Sequence, residues 1–157
     1  GTEWGTALHT LLEAAMTHRG RDLKALAIST REEHGMSFLL LHRILQTVDR
    51  VTKSALWLRA LTSEQRLVEV NLSTLTTDRG LPTVLRGVID LVFRDAGSWV
   101  IVDFKSDQVG LGAVDELVDY YRPQVDAYAE HWAKITGDVV VERGLFFTHT
   151  SEYRTVK

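Results

Sequence analysis

Cysteine is absent from the 157 residues, and its absence excludes several classes of protein at once. Without a thiol the chain has no disulfide scaffold, thiolate zinc site, iron–sulfur cluster or cysteine nucleophile. Long apolar runs are missing too: the best candidate, Phe38 to Leu41, ends at His42, far short of the roughly 18 residues that a membrane span needs. The first residues also lack the basic and apolar segments of a signal peptide. We therefore expect a soluble protein with no membrane partner.

An excess of positive charge is missing as well. Lys and Arg number 18 against 21 Asp and Glu, a formal net charge of −3, so the whole chain does not attract nucleic acid. Residues 66–157 are the more acidic part, with 10 basic and 14 acidic side chains. The phosphate-binding motif G-x-x-x-x-G-K-[ST] does not occur, so we expect neither a nucleotide cofactor nor a motor of that type on this chain. Any binding to a polyanion must come from a local cluster of basic residues.

The composition that is present, 45% apolar and 25% charged residues, is typical of one globular domain over residues 1–157. Residues 1–65 are predicted to be mainly helical, because apolar residues recur at spacings of three, four and seven. The predicted helices cover Trp4–Met16, Leu23–His34 and a long segment that starts after an N-cap at Ser37 and runs to about Ala60.

The pattern changes near residue 66 to the alternating or continuous apolar runs of strands. A helix is predicted over Val114–Ile135, where Pro123 should start, kink or divide it and Gly137 should end it. The sequence therefore indicates an α/β (α+β) fold with a helical segment, 1–65, and a sheet-containing core, 66–157. Its strands are predicted at Arg66–Thr74, Val84–Phe93, Trp99–Lys105 and Val139–Thr148.

A pair of acidic residues lies in two of these strands. Asp90 stands in an apolar run, where an unpaired charge would cost several kcal/mol. Asp103 and Lys105 are two residues apart and therefore share a face of the next strand. If the turn Asp95–Ser98 joins the two strands as a hairpin, Asp90 and Asp103 lie within roughly 5–8 Å of each other. Such carboxylates repel, and a hard divalent cation relieves the repulsion.

Two interpretations of this pattern remain open from the residues alone. An Asp followed at the second position by Lys, as at Asp103 and Lys105, also fits a solvated strand face. The apolar neighbours of Asp90 and Asp103 favour buried strands instead. Glu69, in the preceding predicted strand, adds a third acid to the second interpretation.

Five short motifs follow one another along the chain and carry a resemblance to a known family. They are Gly5-Thr6-Ala7-Leu8-His9, Glu69, Gly87-Val88-Ile89-Asp90, Asp103-Phe104-Lys105 and Gln124-Val125-Asp126-Ala127-Tyr128. The series resembles the RecB-type branch of the PD-(D/E)XK nuclease superfamily, and most closely the C-terminal nuclease domains of AddA and RecB helicase–nuclease subunits. The resemblance runs from Gly5 to about Phe147 and implies a restriction-endonuclease-like core, with a mixed central sheet flanked by helices.

The resemblance implies a metal site with a lysine beside it. By this likeness His9, Asp90 and Asp103 bind the ion, together with the backbone carbonyl of Phe104. Lys105 would position, or help to deprotonate, the attacking water. Without the resemblance, His9 is better explained as a capping or core-edge histidine on an amphipathic helix.

The resemblance also implies supporting residues. Glu69 corresponds to an acid that acts through a metal-bound water or a second ion. Gln124 and Tyr128, four apart on one helical face, correspond to a motif that buttresses the site and meets DNA near the scissile phosphate. From the residues alone, Tyr128 with Tyr121 also fits aromatic packing in the core, and Gln124 fits a surface position.

The function implied by the resemblance is hydrolysis of phosphodiester bonds in DNA, with Mg²⁺ as cofactor and Mn²⁺ as a substitute. An exonuclease domain of a bacterial helicase–nuclease is expected, acting on DNA ends in double-strand break repair in the cytoplasm, at the nucleoid. A motor on the same polypeptide or complex would deliver single strands. Two alternatives stay open: a catalytically degenerate module for DNA binding or subunit docking, and a stand-alone RecB-like exonuclease from a phage or mobile element.

Overall fold

A computed structural model of the protein describes residues 2–18, 20–110 and 112–157. In this part of the chain four helices come first: α1 (Thr2–Thr17), α2 (Leu23–Glu33), α3 (Phe38–Thr52) and α4 (Ala55–Leu61). Three strands, a fifth helix and two further strands follow, namely β1 (Gln65–Asp78), β2 (Leu81–Asp95), β3 (Ser98–Lys105), α5 (Val114–Thr136), β4 (Val140–Phe147) and β5 (Glu152–Thr155). The predicted order of a helical segment and then a sheet with one intervening helix is confirmed.

Side-chain caps decide where the helices of the first segment begin. Ser37 accepts a hydrogen bond from the backbone N–H of Leu39 at 3.3 Å, so the predicted N-cap is confirmed. The single long helix to about Ala60 is wrong, because α3 ends at Thr52 and α4 starts at Ala55. Ser54 causes the break: its hydroxyl donates to the carbonyl of Val51 at 2.6 Å and accepts from the N–H of Trp57 at 3.3 Å.

The sheet of the described residues has five strands in the order β1-β2-β3-β4-β5. β3 and β4 are parallel, while the other neighbours are antiparallel, so the sheet is mixed as predicted. The expected turn between β2 and β3 is confirmed, and its central residues Ala96 and Gly97 have φ values of 50° and 78°. A second turn of this kind, at Arg79 and Gly80, extends β1 and β2 beyond their predicted ends. The four-residue strand β5 was not predicted, because so short a segment shows no clear alternation.

The helices cover both faces of the sheet and thereby bury it. α1, α3 and α4 pack on one face with the inward side chains of β2 and β3. α5 packs on the other face, where Trp132 meets Trp99 edge to face at 5.2 Å. In the described residues no helix is both long enough and apolar enough to cross a membrane.

Of the three effects expected of Pro123, which was to start, kink or divide the helix, the first and the last are wrong, because α5 continues through this residue. Proline has no N–H to offer the carbonyl of Asp119, but that residue is exposed, so water can satisfy its carbonyl. Val118 and Val125 are buried on either side of Pro123 and hold both halves against the sheet. Gly137 ends the helix as predicted, with a φ of 74°.

Candidate metal and active site

Two neighbouring strands bring the first two acids together. The β2–β3 ladder pairs Leu91 with Val102, and beyond this pair come Asp90 and Asp103, which are 8% and 4% exposed. A side-chain oxygen of Asp90, Oδ2, accepts a hydrogen bond from the backbone N–H of Phe104 at 2.7 Å. This bond fixes the Asp90 carboxylate at the end of the ladder, with its second oxygen facing His9.

α1 contributes His9 to the same place. Nδ1 of His9 lies 3.3 Å from Oδ1 of Asp90, and Nε2 lies 3.1 Å from the carbonyl oxygen of Phe104, to which it must donate. Burial lowers the pKa of His9, but the hydrogen bond and charge of Asp90, with Asp103 and Glu69, outweigh it and leave the pKa raised. Gly5 allows this approach of α1 to the end of β3, since a Cβ there would lie 3.0 Å from Oγ of Ser106.

A backbone irregularity in β1 places Glu69. Its φ of 50° is in the left-handed region, which a residue with a Cβ rarely adopts within a strand. Val68 packs with the α1 side of the sheet, whereas Val70, two residues later, packs with the α5 side. The opposing strand β2 switches its side chains between the two faces of the sheet at the same level. Ile89 packs on the α5 side and Leu91, two residues later, on the α1 side. The pKa of Glu69 is raised by burial and then by the charge of Asp90.

The side chains of His9, Glu69 and Asp90 form a set that can hold a cation. One ligand atom from each lies within 4.8 Å of the other two. They line a cavity of about 10 Å³, which is room for a single water or ion, and Phe104 contributes to the same wall. One imidazole and two carboxylates are a donor set suited to a divalent metal ion.

Asp103 lies beside this set and adds a second buried carboxylate. Its Oδ2 is buried and forms an ion pair with Nζ of Lys105 at 2.6 Å. Burial, followed by the charge of Asp90, raises the pKa of Asp103 to about 7. Asp90 and Asp103 are both buried and repel each other, and a metal ion between the acids would relieve the repulsion that remains beside the Lys105 ion pair. The residues present therefore fit a divalent metal.

A chain of hydrogen bonds joins Lys105 to α5. Nζ of Lys105 donates to Oε1 of Gln124 at 2.7 Å, and Nε2 of Gln124 donates to the hydroxyl of Tyr128 at 3.1 Å. Tyr128 reaches this position because Gly87 has no side chain: a Cβ at Gly87 would lie 2.7 Å from Cε1 of Tyr128. The Gly of the Gly87-Val88-Ile89-Asp90 motif thus makes room for the Tyr of the helix motif.

Tyr121, which the sequence pattern related only to aromatic packing in the core, also lies beside Lys105. Nζ of Lys105 lies 3.9 Å from the centre of its ring, a cation–π contact. Its hydroxyl donates to Asp107 at 3.1 Å, and burial together with Asp107 raises the pKa of Tyr121 to about 12. The available signal was its spacing: Tyr121, Gln124 and Tyr128 recur at three and four residues on one helical face.

The structure thus brings every predicted site residue into one region, but in two groups. His9, Glu69 and Asp90 surround the small cavity, with the Phe104 carbonyl held by His9. The second group consists of Asp103, Lys105, Gln124 and Tyr128. Glu69, not Asp103, completes the tightest set of ligand atoms. The roles of all these residues in metal binding and catalysis stay predictions.

Comparison with known protein families matches almost the whole chain to one family. Residues 1–155 match the family described as PD-(D/E)XK nuclease superfamily, which covers every element from α1 to β5. The match includes all the residues that surround the cavity.

Curated relatives match a part of the chain. Proteins named as ATP-dependent helicase/nuclease subunits are 35% identical over 74 residues in Desulforudis audaxviator, 32% over 82 residues in Clostridium beijerinckii and 30% over 69 residues in Clostridioides difficile. These alignments cover 47%, 48% and 44% of this chain, and 6%, 7% and 5% of the relatives. The chain therefore corresponds to a small part of each relative.

Two solved structures share a looser likeness. One described as "Crystal structure of SSO0001" has a TM-score of 0.44 and 13% identity, over 99% of this chain and 77% of that chain. Protein VC1899 from Vibrio cholerae has a TM-score of 0.29 and 14% identity, over 94% of this chain and 48% of that chain. Likeness at this level says nothing about function.

Proposed function

The chain belongs to the PD-(D/E)XK nuclease superfamily, and we propose that it is a metal-dependent deoxyribonuclease domain of exonuclease type. The observation that supports this most strongly is the set of ligand atoms that His9, Glu69 and Asp90 bring together around one small cavity, with the buried Asp103 beside it. A degenerate nuclease fold would have no reason to keep two buried carboxylates, Asp90 and Asp103, beside a third acid and a histidine.

In this proposal His9, Glu69 and Asp90, with Asp103 and the Phe104 carbonyl beside them, hold Mg²⁺ or, in its place, Mn²⁺. When bound, the ion supplies a Lewis acid for the phosphate and lowers the pKa of a bound water. The chain's acids orient the ion, and the cavity wall formed with Phe104 limits access of bulk water.

Lys105 acts on the reacting groups in this proposal. Its ammonium is held by Asp103, by Gln124 and over the ring of Tyr121, and from this position it would stabilise the negative charge that develops on the phosphate. It positions the attacking water by a hydrogen bond from Nζ. Gln124 and Tyr128 are positioning residues, because they reach the site through Lys105.

The biological setting is proposed from the curated relatives, whose names describe helicase and nuclease together. The domain would work in a bacterial helicase–nuclease that processes DNA ends in double-strand break repair. The motor would deliver single strands, which offsets the weak attraction of a domain with net charge −3 for DNA. Action at the nucleoid in the cytoplasm follows from that setting.

A cleavage assay tests the proposal. End-labelled single-stranded and double-stranded DNA, and circular single strands, are incubated with the chain in Mg²⁺, Mn²⁺, Ca²⁺ or EDTA. We expect cleavage of linear DNA in Mg²⁺ and Mn²⁺, none in EDTA, and resistance of the circles to an exonuclease. Asp103→Asn should abolish cleavage, whereas Asp119→Asn, at a side chain that is 76% exposed, should leave it unchanged.

Two results of this assay would contradict the proposal. Intact DNA with every metal and substrate would favour the alternative, a degenerate module for DNA binding or subunit docking. Cleavage of circular single strands as fast as that of linear strands would show that the domain is an endonuclease and not an exonuclease.

A further inference from the structure

A groove leads away from the candidate site along the surface of α3. Its first part is a cleft of about 760 Å³, bordered by His9 and Lys105 at one end. Its second part, about 290 Å³, shares four lining residues with the first and continues to Arg50 and His149. We call the shared and outer part the arginine groove; its lining includes Trp4, Arg43, Arg50, Ser106, Gln108 and His149.

In the part of the chain that the structure describes, the two arginines of this groove have no acidic partner. Arg43 and Arg50 are seven residues apart on one face of α3, about 10 Å along the helix axis. Within residues 2–18, 20–110 and 112–157, neither forms an ion pair: Arg50 donates to Oγ1 of Thr47 at 3.2 Å, and Arg43 lies over the Trp4 ring at 5.8 Å. Lys53, just beyond the end of this helix, is by contrast paired with Asp49 at 2.8 Å. Two unpaired guanidinium groups in a chain of net negative charge are a local anion-binding surface.

Trp4 adds an aromatic surface to these charges. It is half-buried, whereas the other three tryptophans of the chain, Trp57, Trp99 and Trp132, are at most 7% exposed. An accessible indole beside Arg43 can stack on a nucleic-acid base, but only where the base is not already paired and stacked in a duplex. Guanidinium groups that can bind phosphates, together with an indole ring that can stack on a base, are suited to a single strand of DNA.

We propose that the arginine groove binds a single DNA strand on one side of the scissile phosphate. Arg43 and Arg50 contact phosphates of the strand, and Trp4 stacks on a base between these contacts and His9. The proposal rests on the proposed nuclease function only in taking the bound strand as the substrate. It identifies a local basic cluster by which a domain of net charge −3 holds that strand.

Binding is measured without cleavage, in EDTA, by the anisotropy of a fluorescein-labelled 15-nucleotide oligo(dT) at several salt concentrations. The double variant Arg43→Ala with Arg50→Ala should weaken binding at least tenfold. Its slope of log K against log salt should fall by about 1.4, since each single-strand phosphate contact contributes about 0.7. Lys24→Ala is the matched control, because Lys24 is exposed on α2 and does not line the groove.

Tryptophan emission gives a readout specific to stacking. Added oligo(dT) should quench the emission of the parent chain, and Trp4→Phe should remove most of this quenching, because the remaining tryptophans are buried. Trp4→Ala should weaken binding by about 5- to 100-fold. Thermal melts of each variant establish that it is folded.

Three results would overturn the proposal. They are equal affinity of the double variant and Lys24→Ala, binding of a 15-base-pair duplex as tight as that of the single strand, and no binding by the parent at up to about 100 μM protein. These outcomes are independent of catalysis, because cleavage by the parent and its loss in Asp103→Asn test the nuclease function separately. If cleavage fails while the groove variants lose binding, the groove stands and the nuclease proposal falls.

Discussion

Lys105 shows how a single residue can be held by three different kinds of contact. Its ammonium lies 2.6 Å from a carboxylate oxygen of Asp103, 2.7 Å from the amide oxygen of Gln124 and 3.9 Å from the ring centre of Tyr121. A flexible four-carbon stem loses most of its freedom in such a setting, which places the charge before a substrate arrives. This is the arrangement expected of a group that stabilises a transition state.

Lys105→Ala should therefore lower turnover by on the order of a hundredfold or more, with little change in the affinity for Mn²⁺. The charge is removed from the reacting phosphate, while His9, Glu69 and Asp90 keep their positions. Single-turnover cleavage and titration calorimetry measure the two quantities. Lys134→Ala, which removes an equally charged but 67% exposed side chain from α5, is the control. Cleavage at the parent's rate by Lys105→Ala would exclude Lys105 from the mechanism.

At the scale of elements, the site depends on how β1 and β2 change face and how α5 approaches β2. Glu69 and Asp90 lie at the level where both strands change face. The strained φ of Glu69 is the local cost of turning a carboxylate toward the cavity. α5 reaches β2 at Gly87, where the Tyr128 ring occupies the space that a side chain would need.

Gly87→Ala tests the contact between these two elements. The new methyl group would lie 2.7 Å from Cε1 of Tyr128, so the ring must move and its hydroxyl must leave Gln124. We expect kcat to fall by on the order of 10- to 100-fold while metal affinity is retained. In a Tyr128→Ala background the same methyl should have almost no further effect.

Gly110→Ala is the control for this prediction, because among the described residues, chain neighbours aside, no atom lies within 4 Å of a Cβ at that position. If Gly87→Ala lowered activity equally in the parent and in Tyr128→Ala, the clash with Tyr128 would not be the cause.

At the scale of the whole molecule, the acids of the site make stability depend on pH and on metal. The pKa of Asp103 is raised from 3.8 to about 7, so between these values the folded state holds a proton that the unfolded state has lost. The raised pKa of His9 acts in the same direction: its contribution is complete below 6.5 and is lost as pH rises through the folded value. Because both groups lose their protons as pH rises toward 8, the free energy of unfolding of the metal-free protein falls.

The melting temperature in EDTA should therefore fall by a few degrees from pH 6 to pH 8. Asp103→Asn, which carries no charge, should flatten this dependence and be as stable as the parent at pH 8, or about 0.5–2 kcal/mol more stable. Mg²⁺ or Mn²⁺ should raise the melting temperature of the parent at pH 8 and that of the variant much less. Scanning calorimetry gives all three quantities.

Two outcomes would contradict this prediction. A melting temperature in EDTA that rises from pH 6 to pH 8 would exclude the proposed proton uptake. An Asp103→Asn variant clearly less stable than the parent would make Asp103 a structural partner of Lys105.

The sequence by itself determined the elements that depend on neighbouring residues. Apolar spacing placed α1, α2 and α5, and the turn at Ala96-Gly97 follows from local backbone preference. The motifs ending in His9, Asp90, Lys105 and Tyr128 also belong to the chain itself, so the family resemblance was visible without coordinates.

Tertiary structure alone decided how the site residues are grouped. Whether Glu69 or Asp103 stands next to His9 depends on where β1 and β2 change face, and no local pattern records a φ of 50° at a glutamate. The contact of Tyr121 with Lys105 and the meeting of Trp4 with Arg43 join residues 16 and 39 positions apart. Such contacts depend on how helices pack against the sheet and against one another, because periodicity fixes which face a side chain occupies but not what lies opposite it.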